Sequence, residues 1–329
     1  METDTIAHQQ GSVTIGVGTW AWGNQFLWGY RSEQDARLQA TFARAVQLGL
    51  HFFDTADSYG TGRLQGRSET LLGRFRSALP QELSERLVVA TKLAPFPWRL
   101  GRQGLRRAFD ASRRRLGGRL ERVQLHWSTA RYAPWQEGPL IQGLADLVVE
   151  GAVGSLGLSN LGPRRLRLLH QQLSRRGVPV ASLQVQLSLL APEAMAPGGV
   201  GEVCRELGIT LIAYSPLALG LLARTPAEPR PPVSGARRLL FARLQPRIGP
   251  LQERLVAIAR SRDVPIAAVA LNWCRSHGAL PIVGLRSVEQ VEAAAAAAQW
   301  SLEEAERQEL DAVALALDVR MPANPFSSA

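Results

Sequence analysis

Lysine is all but missing from this chain. Of the 38 basic residues among 329, Lys92 is the one lysine and every other is arginine. Such a swap is nearly free where charge or solubility is all that counts. It fails where a compact ammonium with an adjustable pKa is needed, because guanidinium is a planar, permanently charged fork. Lys92 closes the apolar run Leu87-Val88-Val89-Ala90-Thr91-Lys92, so the surviving lysine is expected at a strand end, serving chemistry. Cysteine is nearly as scarce. Cys204 and Cys274 stand far apart in helix-like stretches, which excludes a disulfide framework and the usual metal or redox spacings. No apolar stretch approaches the ~18 residues that cross a bilayer. The opening Met1-Glu2-Thr3-Asp4-Thr5 is polar, so no secretory signal is expected. These absences predict a cytoplasmic setting without a membrane partner. Also missing is a Gly-x-Gly-x-x-Gly turn between strand and helix; Gly60-Thr61-Gly62 has the wrong spacing. An open sheet binding a dinucleotide through that fingerprint is excluded.

What is present supplies a core easily, with 46% hydrophobic and 20% charged residues. The net charge of +10 raises the question of nucleic acid. Arginine pairs and triplets such as Arg113-Arg114-Arg115, Arg164-Arg165, Arg175-Arg176 and Arg237-Arg238 are spread along the whole length. A nucleic-acid footprint would cluster on one face and interleave with aromatics, so no nucleic-acid partner is expected.

Short apolar runs alternate with amphipathic stretches. Strands are predicted at Thr14–Gly18, His51–Asp54, Leu87–Lys92, Arg122–His126, Ala152–Leu158, Ala181–Leu187, Thr210–Tyr214 and Ala279–Val283. Helical patterns fill the gaps, among them Glu33–Leu48, Glu69–Ala78, Gly104–Leu116, Leu140–Glu150, Arg164–Arg176 and Leu251–Arg260. Eight strands alternating with helices predict an α/β fold, a (β/α)8 TIM barrel forming a single domain over 1–329. A long proline-rich loop, Leu217 to about Pro250, follows the seventh strand and would lie at the face where barrel active sites form. Residues 1–12 and 320–329 read as loosely ordered tails.

Polar groups at the C-terminal ends of barrel strands converge on one mouth. Asp54, Tyr59, Lys92 and His126 occupy such positions. Together they make a coherent set: a phenol titrating near 10, an ammonium to lower that pKa, a carboxylate to hold the ammonium, and an imidazole to hydrogen-bond a carbonyl. Trp20, Trp22 and Trp127, with Phe96 and Trp98, lie in loops at strand ends and could wall an apolar substrate pocket beside Tyr59.

Four segments resemble the aldo-keto reductase superfamily, in that family's order. They are Phe53-Asp54-Thr55-Ala56-Asp57-Ser58-Tyr59-Gly60, Ala90-Thr91-Lys92, Gln124-Leu125-His126-Trp127 and Gly157-Leu158-Ser159-Asn160. The resemblance runs from about Thr14 to about Leu317. It is strongest to the plant-chloroplast and cyanobacterial branch, through Gly18-Thr19-Trp20-Ala21-Trp22-Gly23 and Thr210-Leu211-Ile212-Ala213-Tyr214-Ser215-Pro216. It implies a barrel that reduces aldehydes and ketones with NADPH. Tyr59 would be the proton donor, Lys92 the group tuning it, Asp54 the partner of Lys92, and His126 the group orienting the carbonyl. Gly18, Thr19, Trp20 and Asp54 would border the cofactor. Ser159, Asn160 and Gln184 would hold the carboxamide, and Tyr214 would stack on the nicotinamide. Ser215, Pro216 and Leu217 would line the pyrophosphate path, with Arg286, Ser287 and Gln290 at the 2′-phosphate. The chain departs from many relatives at Ala293-Ala294, Leu183 and Leu187, and between Tyr59 and Ser68. A small-molecule carbonyl substrate and a monomer or weak oligomer are expected. The alternative is an NADPH-binding sensor of the same fold with little turnover, which would predict a damaged catalytic set.

Overall fold

The computed structural model describes residues 15–228 and 235–328. Its eight strands are β1 Gly16–Gly18, β2 Phe52–Asp54, β3 Val88–Leu93, β4 Arg122–Leu125, β5 Ser155–Ser159, β6 Val180–Gln186, β7 Thr210–Tyr214 and β8 Leu280–Gly284. All pairings are parallel and β8 returns to β1, closing the barrel in simple sequence order. The eight predicted strands are therefore the eight observed. Most edges move by a single residue, but Thr14 lies outside the described residues and β5 starts at Ser155, three residues later than expected. There Gly151, at φ 69°, and Ala152, bonded back to Leu147, are spent ending the preceding helix.

Side-chain alternation along the strands decides what faces the barrel axis. Val17, Phe53, Val89, Val123, Leu211 and Val283 point outward into the large core beneath the helices. Phe52, Val88, Ala90, Ile212, Leu280 and Ile282 form a separate small cluster inside. Continuing that parity puts Asp54 and Lys92 inside as well, while Thr91 points out to Glu69, whose carboxylate accepts from its hydroxyl. The barrel interior thus holds the apolar cluster lower down, with the buried Arg122 guanidinium carbon 5.8 Å from the Phe52 ring centre, and turns polar at the top.

Amphipathic helices cover the outside. Helix Gly101–Arg115 buries Leu105, Ala108, Phe109 and Ser112, an i, i+3, i+4, i+7 stripe. Its last turn, Arg113-Arg114-Arg115, complements the negative end of the helix dipole. Helix Arg67–Ser77 approaches it closely at Gly73, where a Cβ would come within 2.3 Å of the Arg115 carbonyl oxygen.

The connection after β7 differs from a structureless loop. It contains a 3-10 segment, Ala218–Ala223, and helix Gly235–Leu244, anchored by buried Leu221, Leu222, Phe241 and Leu244. Pro246 and Pro250 are the second residues of helical segments, within the first turn, where a missing N–H costs nothing. Residues 229–234 and the expected tail 1–12 lie outside the described residues.

Residues 320–328, expected as a loose tail, are hydrogen-bonded to the barrel. Met321 N–H donates to Leu190 O at 2.7 Å, and Ser328 bridges Leu161 in parallel beyond the end of β5. The segment crosses the barrel mouth. Among the described residues, no helix is long and apolar enough to cross a membrane.

Candidate active site

Strand parity and closure bring the four expected groups together. The Lys92 ammonium donates to Asp54 Oδ2, both side chains being almost wholly buried. Asp54 Oδ1 accepts from Gln124 Nε2 at 3.1 Å and from Gln184 Nε2 at 2.7 Å. Lys92 Nζ also lies 5.0 Å from the centre of the Tyr59 ring. That ring meets His126 edge-on at 5.8 Å, and Ser58 Oγ lies 3.4 Å from His126 Nδ1.

Burial dominates the electrostatics here. It pushes the Lys92 ammonium below its ordinary value, against the attraction of Asp54. It drives His126 well below the usual imidazole range, helped by Lys92 and Arg99, so the ring is neutral at pH 7. Tyr59 corrects a sequence expectation. Its phenol is held well above 10 by burial, then by Asp54 and Asp57, rather than lowered by Lys92. The physical reason is desolvation: ionising a fully buried phenol costs more than the neighbouring ammonium, itself paired with Asp54, returns.

The expected carboxamide-binding residues are satisfied within the protein. Ser159 Oγ donates to Gln184 O at 3.0 Å, and Gln184 spends its amide on Asp54. Asn160, in the left-handed region at φ 60° and 4% exposed, donates to His126 O at 2.9 Å and to Ser159 Oγ at 3.1 Å. Its Oδ1 accepts from Tyr214 Oη at 2.9 Å and from Asn324 Nδ2 at 3.1 Å. Burial pushes the Tyr214 phenol up to about 12. Ser215, also at positive φ, turns the chain into Pro216 and Leu217. Thr19 donates its hydroxyl to Asp54 O at 2.9 Å and so closes β1 onto β2 beside Gly18.

A second, cationic end lies past β8. Ser287 caps helix Val288–Ala296 by accepting from Gln290 N, and Gln290 Oε1 accepts from Arg286 N at 2.8 Å. The guanidinium carbons of Arg237 and Arg286 lie 4.0 and 5.0 Å from the centre of the Trp28 ring. Each arginine is depressed by burial and then by a like charge, Arg286 on Arg237 and Arg37 on Arg286. Among the described residues neither makes an ion pair with a carboxylate. Trp28 and Arg237 were not legible: one is a lone aromatic, the other one arginine among many. Their signal exists only in three dimensions.

The expected aromatic pocket divides. Trp127 lies 4.9 Å from His126 and stacks on Phe326 at 4.4 Å, while Phe96 stacks on the exposed Trp98. Trp20 is partly exposed and edges Trp28. Trp22 is a correction: it is fully buried against Phe75 and donates to Leu285 O at 2.8 Å, so it belongs to the core. Asp57 and Arg99 were missed. Arg99 pairs with Asp57 and lies 4.9 Å from the Phe96 ring centre, tying the β2 and β3 loops together. Asp57 stands in the quoted Asp54–Tyr59 segment, which was the signal for it.

The model of the aldo/keto reductase family matches residues 14–315. A chloroplastic pyridoxal reductase of Arabidopsis thaliana is 44% identical over 320 residues, covering 95% of this chain and 86% of that protein. An uncharacterised oxidoreductase of Mycobacterium tuberculosis is 36% identical over 303 residues, 90% of this chain and 87% of its own. Among solved structures, an aldo-keto reductase from Klebsiella pneumoniae in complex with NADPH has a TM-score of 0.71 at 25% identity, covering 94% of both chains. A glycerol dehydrogenase from Gluconobacter oxydans reaches a TM-score of 0.76 at 23% identity over 96% of this chain and 95% of its own, a likeness of fold.

Proposed function

The chain belongs to the aldo/keto reductase family, and from that premise we propose that it reduces an aldehyde borne on an aromatic ring, with NADPH as reductant and Tyr59 as proton donor. Membership of the family makes it an NADP-dependent oxidoreductase acting on carbonyl groups. The finer reading rests above all on one observation: a buried lysine-carboxylate pair, a neutral histidine and a phenol converge at the barrel mouth. One barrel unit carries the whole reaction.

The residues present fit an anionic dinucleotide. Arg237 and Arg286 flank Trp28 without an ion pair to a carboxylate among the described residues. Guanidinium geometry suits a phosphate, so Arg286, Ser287 and Gln290 would take the 2′-phosphate. Ser159, Asn160 and Tyr214 would receive the nicotinamide end, and Ser215, Pro216 and Leu217 the path between. Gln184 supports that end through Asp54. Gly18, Thr19 and Trp20 border the same mouth. Bound there, NADPH supplies the hydride.

The protein's own groups handle the proton. Tyr59 is held above 10 and therefore enters the reaction carrying its proton. Lys92 counts in the other direction: as Tyr59 gives up its proton, the ammonium at its ring stabilises the phenolate. Asp54 keeps Lys92 charged against the pull of burial. His126 is neutral; the tautomer in which Ser58 Oγ donates to Nδ1 presents Nε2–H to a carbonyl oxygen. Trp127 and Phe96 wall the substrate side, favouring a flat ring. Pyridoxal is the first candidate, supported by the relative that bears its name.

Following NADPH absorbance with pyridoxal tests this. Tyr59→Phe is expected to lose about 10²–10⁴-fold in turnover while NADPH still quenches tryptophan fluorescence as in the parent. Lys92→Arg is expected to fail similarly, since a fixed fork cannot replace a compact ammonium. Undiminished turnover in Tyr59→Phe rejects the assigned acid.

A further inference from the structure

The segment Met321–Ser328 is fastened at both ends of the mouth. At one end Met321 N–H donates to Leu190 O at 2.7 Å. At the other, Ser328 N–H donates to Asn160 O at 3.0 Å and Gly162 N–H to Ser328 O at 2.6 Å, forming a single parallel bridge with Leu161 just past β5. Between these points Asn324 orders a turn, accepting from Phe326 N at 2.9 Å and from Ser327 N at 3.0 Å. The turn aims the Asn324 side chain at the site. Its Nδ2 lies 3.1 Å from Asn160 Oδ1 and 2.8 Å from Tyr214 Oη. Two residues on, the Phe326 ring lies flat on Trp127 at 4.4 Å and 20°.

The asparagine side chain is a primary carboxamide, the same functional group that nicotinamide carries. Asn160 has one Oδ1, and in this structure Tyr214 and Asn324 use it. Its Nδ2 is committed to His126 O and Ser159 Oγ. A nicotinamide carboxamide entering the same place would need the acceptor that Asn324 holds.

We propose that the C-terminal segment is a built-in competitor for the nicotinamide end of the cofactor, with the Asn324 carboxamide standing in for the nicotinamide carboxamide. The inference rests on the reading of Asn160 and Tyr214 given above and adds regulation to that site. In the free protein the segment closes the mouth. NADPH binding displaces Asn324 from Asn160, and release of the oxidised cofactor lets it return. The hydrogen bonds and one ring stack are set against the entropy of ordering eight residues, so the closed state is favoured only modestly. A binding-competent fraction of about one fifth raises the apparent dissociation constant about fivefold.

The full chain tests this in two ways. Asn324→Ala is expected to bind NADPH about fivefold more tightly by fluorescence quenching. An unchanged or weaker affinity overturns the proposal. Hydrogen exchange on the unaltered protein supplies a readout that needs no variant. Saturating NADPH is expected to speed exchange at the Ser328 and Gly162 amides. Binding with that protection retained or increased overturns the proposal while leaving the cofactor reading intact. If NADPH quenches neither the parent nor Asn324→Ala, the cofactor reading fails and the proposal goes with it.

Discussion

His126 shows how depth of burial, rather than residue type, sets protonation in this site. Its folded-state pKa lies well below the imidazole norm of about 6.5 that the unfolded chain keeps. As pH falls below that norm, the unfolded chain takes up a proton that the folded chain refuses. Stability is therefore full above ~6.5 and drops by about 1.4 kcal/mol per pH unit below it. Asp57, raised to about 6 by burial, acts oppositely: its contribution is present at low pH and is lost as pH rises through 6. Comparing urea midpoints of the parent and His126→Gln between pH 7.5 and 5 isolates the histidine. The parent is expected to lose more stability than the variant across that interval; parallel curves refute a depressed imidazole. The same logic explains why Tyr59 ran against expectation. The identity of its neighbours, with Asp54 as the partner of Lys92, was legible in the sequence, but the degree of desolvation was not.

Among the elements, the strands were legible because an apolar run with period-two alternation can serve few other purposes, and because Asp54 and Lys92 share a parity with Phe52 and Ala90. The connection after β7 was less so: its prolines mark loops and helix starts alike. The tail was least legible. Met321-Pro322-Ala323-Asn324-Pro325 has no periodicity, and its partners Asn160 and Tyr214 lie over a hundred residues away. Close helix packing was equally silent in the sequence, and Gly73 exposes its cost. Alanine there gains about 1 kcal/mol of helix propensity over glycine. Its Cβ, however, would sit 2.3 Å from a backbone oxygen that cannot step aside, and overpacking of that kind costs about 1–3 kcal/mol. The clash wins. Gly73→Ala is expected to lower the urea midpoint at an unchanged slope; a raised midpoint would mean that the two helices can separate freely.

Seen whole, the molecule uses arginine for nearly every cationic task. Exposed pairs such as Arg44–Glu292, Arg102–Asp146 and Arg167–Glu206 link neighbouring elements, each worth little alone at a solvated surface. Against that background the solitary lysine carries a practical consequence. An endoproteinase that cuts only after lysine has a single target, and it is 1% exposed in the middle of a closed sheet. Scission into residues 1–92 and 93–329 therefore demands that β3 leave the barrel altogether. The digestion rate is expected to follow the global unfolding equilibrium as urea is added, and a rate indifferent to urea would mean that β3 peels away by itself. Each severed chain would then be the record of one complete opening of the barrel, obtained without attaching any dye or tag.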